Sequence, residues 1–135
     1  MAKKPVKKRR ITIRSGKAKG KKFQNWIAEQ FSNVSGGIPW GQDEDIESRC
    51  MGMSGTDIIF RNTAEALFPY SIEAKNCEQF SLPSWISQAK KNKKDDTDWL
   101  LFITKNRFDK VVVMDTSLFF DLLKELIELK ELREK

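Results

Sequence analysis

Between residues 69 and 75 the side chains alternate: Tyr70, Ile72 and Ala74 are apolar or small, while Ser71, Glu73 and Lys75 are polar. A period of two is the pattern of a strand that buries one face. The opposite face then carries a carboxylate and an ammonium two residues apart, between core positions. A chain containing such a strand must build a sheet that is apolar on one side and charged near its middle on the other.

The flanking segments supply the rest of that sheet and its cover. Phe23, Trp26, Ile27 and Phe31 recur at helical spacing and predict a first helix over 19–33. Ser35-Gly36-Gly37 and Pro39 break it, leaving a loop over 35–45. Short extended stretches follow at 46–51, 56–61 and 69–75, with turns at Gly52, Gly55 and Asn62. A short helix is expected over 83–92, with Ser81 as a cap and Pro83 tolerated in the first turn. A charged loop over 93–98 leads into buried strands at 99–104 and 110–114. Asp115-Thr116-Ser117 then caps a long helix over 118–134. The expected fold is α/β, with one central mixed sheet flanked by helices. On the last helix, Leu118, Leu122, Leu126 and Leu129 form one stripe, and Phe119, Leu123 and Ile127 a second. Both stripes are expected to pack on the sheet, the other option being a second subunit.

A length of 135 residues with 39% apolar content suits one folded domain with a real core. Histidine is absent, which excludes Ser-His-Asp and Cys-His nucleophile systems and the usual Cys/His zinc sites. Cys50 and Cys77 make no CxxC pair and read as reduced thiols. No window is apolar over the roughly 18 residues of a membrane span, and the basic start lacks the apolar stretch of a signal peptide. The expected location is therefore cytoplasmic.

Charge is unevenly placed. Residues 1–22 hold eleven basic side chains and no acidic one, leaving 14 basic against 19 acidic residues over 23–135, a net of −5. Residues 1–18 are expected to form a flexible basic arm ahead of a domain over 19–135. Such an arm suits a polyanion, most simply nucleic acid; a solubility tail or a tether to anionic lipid is the competing account.

The chemistry concentrates in Ser54-Gly55-Thr56-Asp57 and Glu73-Ala74-Lys75. Asp57 begins an apolar strand just after a glycine turn. If that strand neighbours the one carrying Glu73, the two carboxylates can share one hard cation. Two carboxylates repel a DNA backbone unless a divalent ion screens them; with Mg²⁺ they suit phosphodiester hydrolysis. Lys75, beside carboxylates, suits orienting water and stabilising charge on phosphate.

In this order, and after the Lys19-Gly20 helix start, these motifs resemble the PD-(D/E)XK nuclease superfamily, and within it the small Holliday junction resolvases and their phage-encoded relatives. The resemblance spans about residues 19–114. It implies an αβββαβ, restriction-endonuclease-like core, with Asp57, Glu73 and Lys75 catalytic. It also implies Asp57, Glu73 and the Ala74 carbonyl as metal ligands, Mg²⁺ as cofactor with Mn²⁺ substituting, and Ser54 and Gly55 in a loop near the scissile phosphate. Gln88 resembles a glutamine that some members place near the site. Two positions depart from the pattern. Thr56 stands where the family name has proline, and Gln24 where archaeal-type resolvases carry a glutamate; Glu29 or Glu47 are candidate substitutes.

Lys7, Lys8, Arg9, Arg10, Arg14, Lys17, Lys19, Lys21 and Lys22, with Ser54 and Gly55, are the expected DNA contacts. Lys90, Lys91, Lys93, Lys94, Lys105 and Arg107 are further basic candidates, and Trp40 and Trp85 candidates for base stacking. The expected function is a metal-dependent endonuclease acting on branched DNA, as a homodimer, in the bacterial host cytoplasm if phage-encoded. The alternatives are a catalytically silent nucleic-acid-binding protein on the same fold, a nicking or fork-processing nuclease, and a basic-tailed protein-interaction domain.

Overall fold

Apolar side chains at helical and strand spacing sort onto three layers in a computed structural model, which describes residues 13–50 and 52–135. The chain runs α1 (Ile13–Val34), β1 (Ile46–Ser48), β2 (Ile58–Phe60), α2 (Thr63–Leu67), β3 (Tyr70–Asn76), α3 (Leu82–Asn92), β4 (Asp98–Thr104), β5 (Val111–Met114) and α4 (Thr116–Glu134). Phe23, Ile27 and Ala28 of α1 pack on Ile46, Ile58, Phe60, Ile72 and Leu100 from four strands. On the other side of the sheet, Trp85 and Ala89 of α3 pack on Trp99, Leu101 and Ile103. Alternation along β4 accounts for both clusters, since Leu100 and its odd-numbered neighbours face opposite layers.

The β3–α3–β4 crossover makes β3 and β4 parallel, with Glu73 opposite Leu101, and β5 turns back antiparallel to β4. β1 and β2 form a separate antiparallel ladder rather than joining the single sheet expected, and β1 is only three residues long. A backbone hydrogen bond ties the residue before β2 to β3: the Asp57 N–H donates to the Ile72 carbonyl at 2.8 Å. The mixed α/β architecture, the flanking helices and the long last helix follow the expected, restriction-endonuclease-like plan.

Four further details differ from the expectation. α1 includes 13–18, expected in the arm, and Gly20 lies inside the helix rather than at its start. No residue of α1 before Phe23 is buried, so this turn leaves no apolar period. It extends a helix already nucleated by the packed turns, through residues of good propensity such as Arg14, Lys17 and Ala18. α2 was not expected, because five residues with only Ala64 buried are too few to show a period. Trp85 is 9% exposed and belongs to the core, so it is not a stacking platform. The fourth difference is α4. Asp115 caps it as expected, accepting from the Ser117 N–H at 2.8 Å, but only Leu118 is buried. Leu122 packs partly on the core, whereas Phe119, Leu123, Leu126, Ile127 and Leu129 are exposed. The helix follows β5, an edge strand, and packs on the core through Leu118 and Leu122 of its first turns.

Candidate active site

β3 carries Glu73 at its middle and Lys75 near its end. Successive side chains leave a strand on opposite faces, so Glu73 and Lys75 emerge together, and the Lys75 Nζ stands 3.8 Å from the Glu73 Oε1. Residues two apart send their backbone polar groups to the same edge. Ile72 accepts from the Asp57 N–H on that edge, and Ala74 donates its N–H to the Asp57 Oδ2 at 2.7 Å. The Asp57 carboxylate is thereby latched to the backbone beside Glu73. The turn before it depends on Gly55, whose φ of 105° is unfavourable for a residue with a Cβ. The Arg49 guanidinium packs over this glycine and donates to the Thr56 carbonyl.

Glu73 is 4% exposed. Burial, then the nearby Asp57 charge, pushes its carboxyl up to about 7, against relief from Asn92 and Lys75. Burial also raises Asp57, opposed by the Ala74 N–H and by the Lys75 and Arg49 charges. Two carboxylates that resist ionisation beside each other gain from a cation that neutralises both. Asn92, at the end of α3, reaches back to the Glu73 Oε2 at 3.4 Å. Nothing in the sequence pattern marks Asn92, because its role depends on where α3 ends in space.

Asp57, Glu73, Ala74 and Lys75 line one cavity of about 240 Å³ with Gly16, Gly20, Gln24 and Gln88 among its other walls. Gln24 is 5% exposed, and its Oε1 has no hydrogen-bond partner among the described residues. A buried acceptor left open in a polar cavity is a place for a water or a cation-bound ligand. Two carboxylates, the Ala74 carbonyl and this amide oxygen make an all-oxygen donor set, which fits a hard divalent ion. Among the described residues no cluster of three or more His, Cys, Asp or Glu side chains forms a metal site, so the fit rests on carbonyl and amide oxygens as well as on the carboxylate pair. Gly16 and Gly20, one turn apart, present no side chain to the cavity. Their i, i+4 spacing in the sequence marks one side-chain-free face of α1.

Other expected residues are engaged elsewhere. Glu29 is exposed and outside the cavity. Glu47 pairs with Arg61 at 2.8 Å and accepts from the Asp43 N–H, which together hold its carboxyl below the usual range. The Lys21 ammonium is bound to the Ser48 Oγ at 2.7 Å and the Ser48 carbonyl at 3.0 Å, tying α1 to β1. Lys19 pairs with Glu78 at 2.7 Å. Arg14, Lys17, Lys22 and Ser54 are exposed, whereas Lys93 donates to the Thr97 carbonyl within its own loop. Cys50 and Cys77 are free thiols. Lys7, Lys8, Arg9 and Arg10 lie outside the described residues.

Residues 18–133 match a family model described as "phage putative PDDEXK endonuclease". No curated protein and no solved structure matches the chain.

Proposed function

The chain belongs to this phage PDDEXK endonuclease family, and from that premise we propose that it is a divalent-metal-dependent DNA endonuclease acting on branched DNA. The observation that carries the reading is the latch of Asp57 onto Ala74 beside the buried Glu73–Lys75 pair. Asp57, Glu73 and the Ala74 carbonyl would hold Mg²⁺, with Mn²⁺ as a substitute. A bound hard cation there supplies Lewis acidity toward a phosphoryl oxygen and lowers the pKa of a water.

The protein's own side chains do the remaining work. Lys75 lies at the cavity wall with its ammonium toward Glu73, where it orients the attacking water and offsets charge growing on the phosphate. Gln24 offers its open oxygen as an acceptor to a water in the cavity. Gly16 and Gly20 leave room for a sugar-phosphate backbone to approach α1. Gln88 of α3 also lines the cavity.

The finer parts of the proposal are branched substrate, a homodimer and the bacterial host cytoplasm as the place of action. The exposed apolar face of α4 supports pairing with a second copy, because a helix apolar over so wide a face is ordinarily covered. A four-way junction has two-fold symmetry, so a two-fold dimer with one site per subunit makes paired incisions. Among the described residues no helix is long and apolar enough to cross a membrane.

The test is incubation with labelled four-way junction, fork, single-stranded and linear duplex DNA, in Mg²⁺, in Mn²⁺ and in chelator, beside Asp57→Ala and Glu73→Ala. Metal-dependent incision of branched DNA that both substitutions abolish, with binding retained, is the expected result. Equal cutting by the variants, or binding without any cutting, would overturn it. The second outcome is that of a silent binding module, which the neutral Gln24 favours.

A further inference from the structure

Beside the catalytic cavity lies a second cleft of about 400 Å³, between α1 and the loop joining β4 to β5. Lys19, Lys22, Lys105, Arg107 and Lys110 line it, and among the described residues no carboxylate does. Of these five cations only Lys19 forms an ion pair among the described residues. Two of the others are held in place without being neutralised. The Lys105 Nζ sits 4.9 Å from the Phe80 ring centroid and 5.2 Å from that of Phe108, and the Lys110 Nζ sits 5.1 Å from that of Trp26. Aromatic faces fix an ammonium while leaving its charge available to an incoming anion. Five cations against the single Glu78 carboxylate leave the cleft a net positive charge that suits an anionic ligand.

The geometry also says where that anion comes from. Asn76 lines both the catalytic cavity and this cleft. Its Oδ1 is buried without a hydrogen-bond partner among the described residues, and its Nδ2 reaches the Lys19 carbonyl at 3.4 Å. The end of β3 is thus a wall shared by the cavity that holds Glu73 and Lys75 and the cleft between Lys19 and the β4–β5 loop. There a single oxygen, the Glu78 Oε1, accepts from the Lys19 ammonium at 2.7 Å and from the Asn106 N–H at 3.1 Å. One oxygen held by an ammonium and a backbone amide is how proteins grip a phosphate oxygen. Glu78 is exposed, so nothing buries it in that position.

We propose that this cleft receives the backbone of the DNA strand on one side of the scissile phosphate, and that a phosphate displaces Glu78 from Lys19 and Asn106. The proposal rests on the nuclease reading for its substrate and adds the path the strand follows. It makes the β4–β5 loop a binding element and Glu78 an internal competitor of the substrate. Contacts of this kind are to phosphate, so they set position and affinity rather than sequence.

Binding is measured in chelator, where nothing is cut, as a salt series on labelled branched and duplex DNA. Lys105→Ala with Arg107→Ala removes two phosphate contacts, so the slope of log affinity against log salt should become shallower by about 1.8. Lys124→Ala with Lys130→Ala, an equal charge change on α4, should leave the slope at its parental value. Glu78→Gln should bind several-fold more tightly, a direction that misfolding cannot produce. A Lys105/Arg107 slope equal to that of the α4 control, or a Glu78→Gln variant that binds no more tightly than the parent, would overturn the proposal. Because these readouts need no cleavage, the expected shifts in a protein that never cuts would support the cleft while removing the nuclease reading. Cutting with unaltered shifts would do the reverse.

Discussion

Replacing Glu73 with glutamine separates what the site costs the fold from what it does. Glu73 is 4% exposed, and its carboxyl is raised from 4.5 to about 7, chiefly by burial and then by Asp57. A carboxyl with a higher pKa folded than unfolded holds its proton more tightly in the native state. Its effect on stability is therefore nil below about pH 4.5, unfavourable and growing up to about pH 7, and constant above that. At about 1.4 kcal/mol per pH unit, the full loss is about 3 kcal/mol. Burial moves Asp57 in the same direction, so its contribution has the same sign. Glutamine keeps the shape and carries no charge. In chelator, Glu73→Gln should match the parent near about pH 4.5 and exceed its stability by about 3 kcal/mol near about pH 8. For a chain this long that is roughly 10 °C in Tm. Urea and thermal unfolding of both proteins across this pH range measure it. Saturating Mg²⁺ should narrow the gap at high pH, because the ion binds the folded parent and offsets the same two charges. A difference between variant and parent that stays the same from acid to alkaline pH would refute the assignment of Glu73 as a buried, proton-holding carboxyl.

Lys75→Ala should lower the cleavage rate at saturating DNA by about 10²–10³-fold with little change in binding, the pattern of a group acting on the transition state; a loss confined to KM would contradict that role. Gln24→Glu should lower the Mg²⁺ concentration needed for half-maximal cleavage, and in chelator destabilise the fold by adding a third buried carboxylate; an unchanged metal requirement would show that Gln24 does not face the ion. Leu126→Lys with Leu129→Lys, both at exposed positions, should leave monomer stability within about 0.5 kcal/mol and abolish dimers in size-exclusion chromatography with light scattering. Equal masses for parent and variant would remove α4 as the contact.

Legibility differed from element to element. β3 was readable because alternation depends only on strand geometry, so Glu73 and Lys75 had to share a face once the strand formed. β4 and α3 were readable for a similar reason: an unbroken apolar run between charged loops, and a short helix with Pro83 in its first turn. α1 was readable only from Phe23 onward, where burial imposes a period, and α2 was not readable at all. Glu47 and Glu29 looked like candidate ligands because acidic side chains announce only their charge. Their destinations, an ion pair with Arg61 and open solvent, depend on the faces that β1 and α1 turn outward. Lys21 looked like its basic neighbours, yet the approach of β1 commits its ammonium to Ser48.

By itself, the order of residues determined the layered α/β plan, the polar face of β3 and the concentration of positive charge ahead of Phe23, since all three follow from local periodicity and composition. Tertiary structure decided which strand edge meets Asp57, that α3 ends with Asn92 against Glu73, and that Lys19 and the β4–β5 loop converge on one carboxylate. It also decided that α4 leaves most of its apolar surface uncovered. These are contacts between residues far apart in the chain, and side-chain spacing along one segment carries no information about which distant segment will lie beside it.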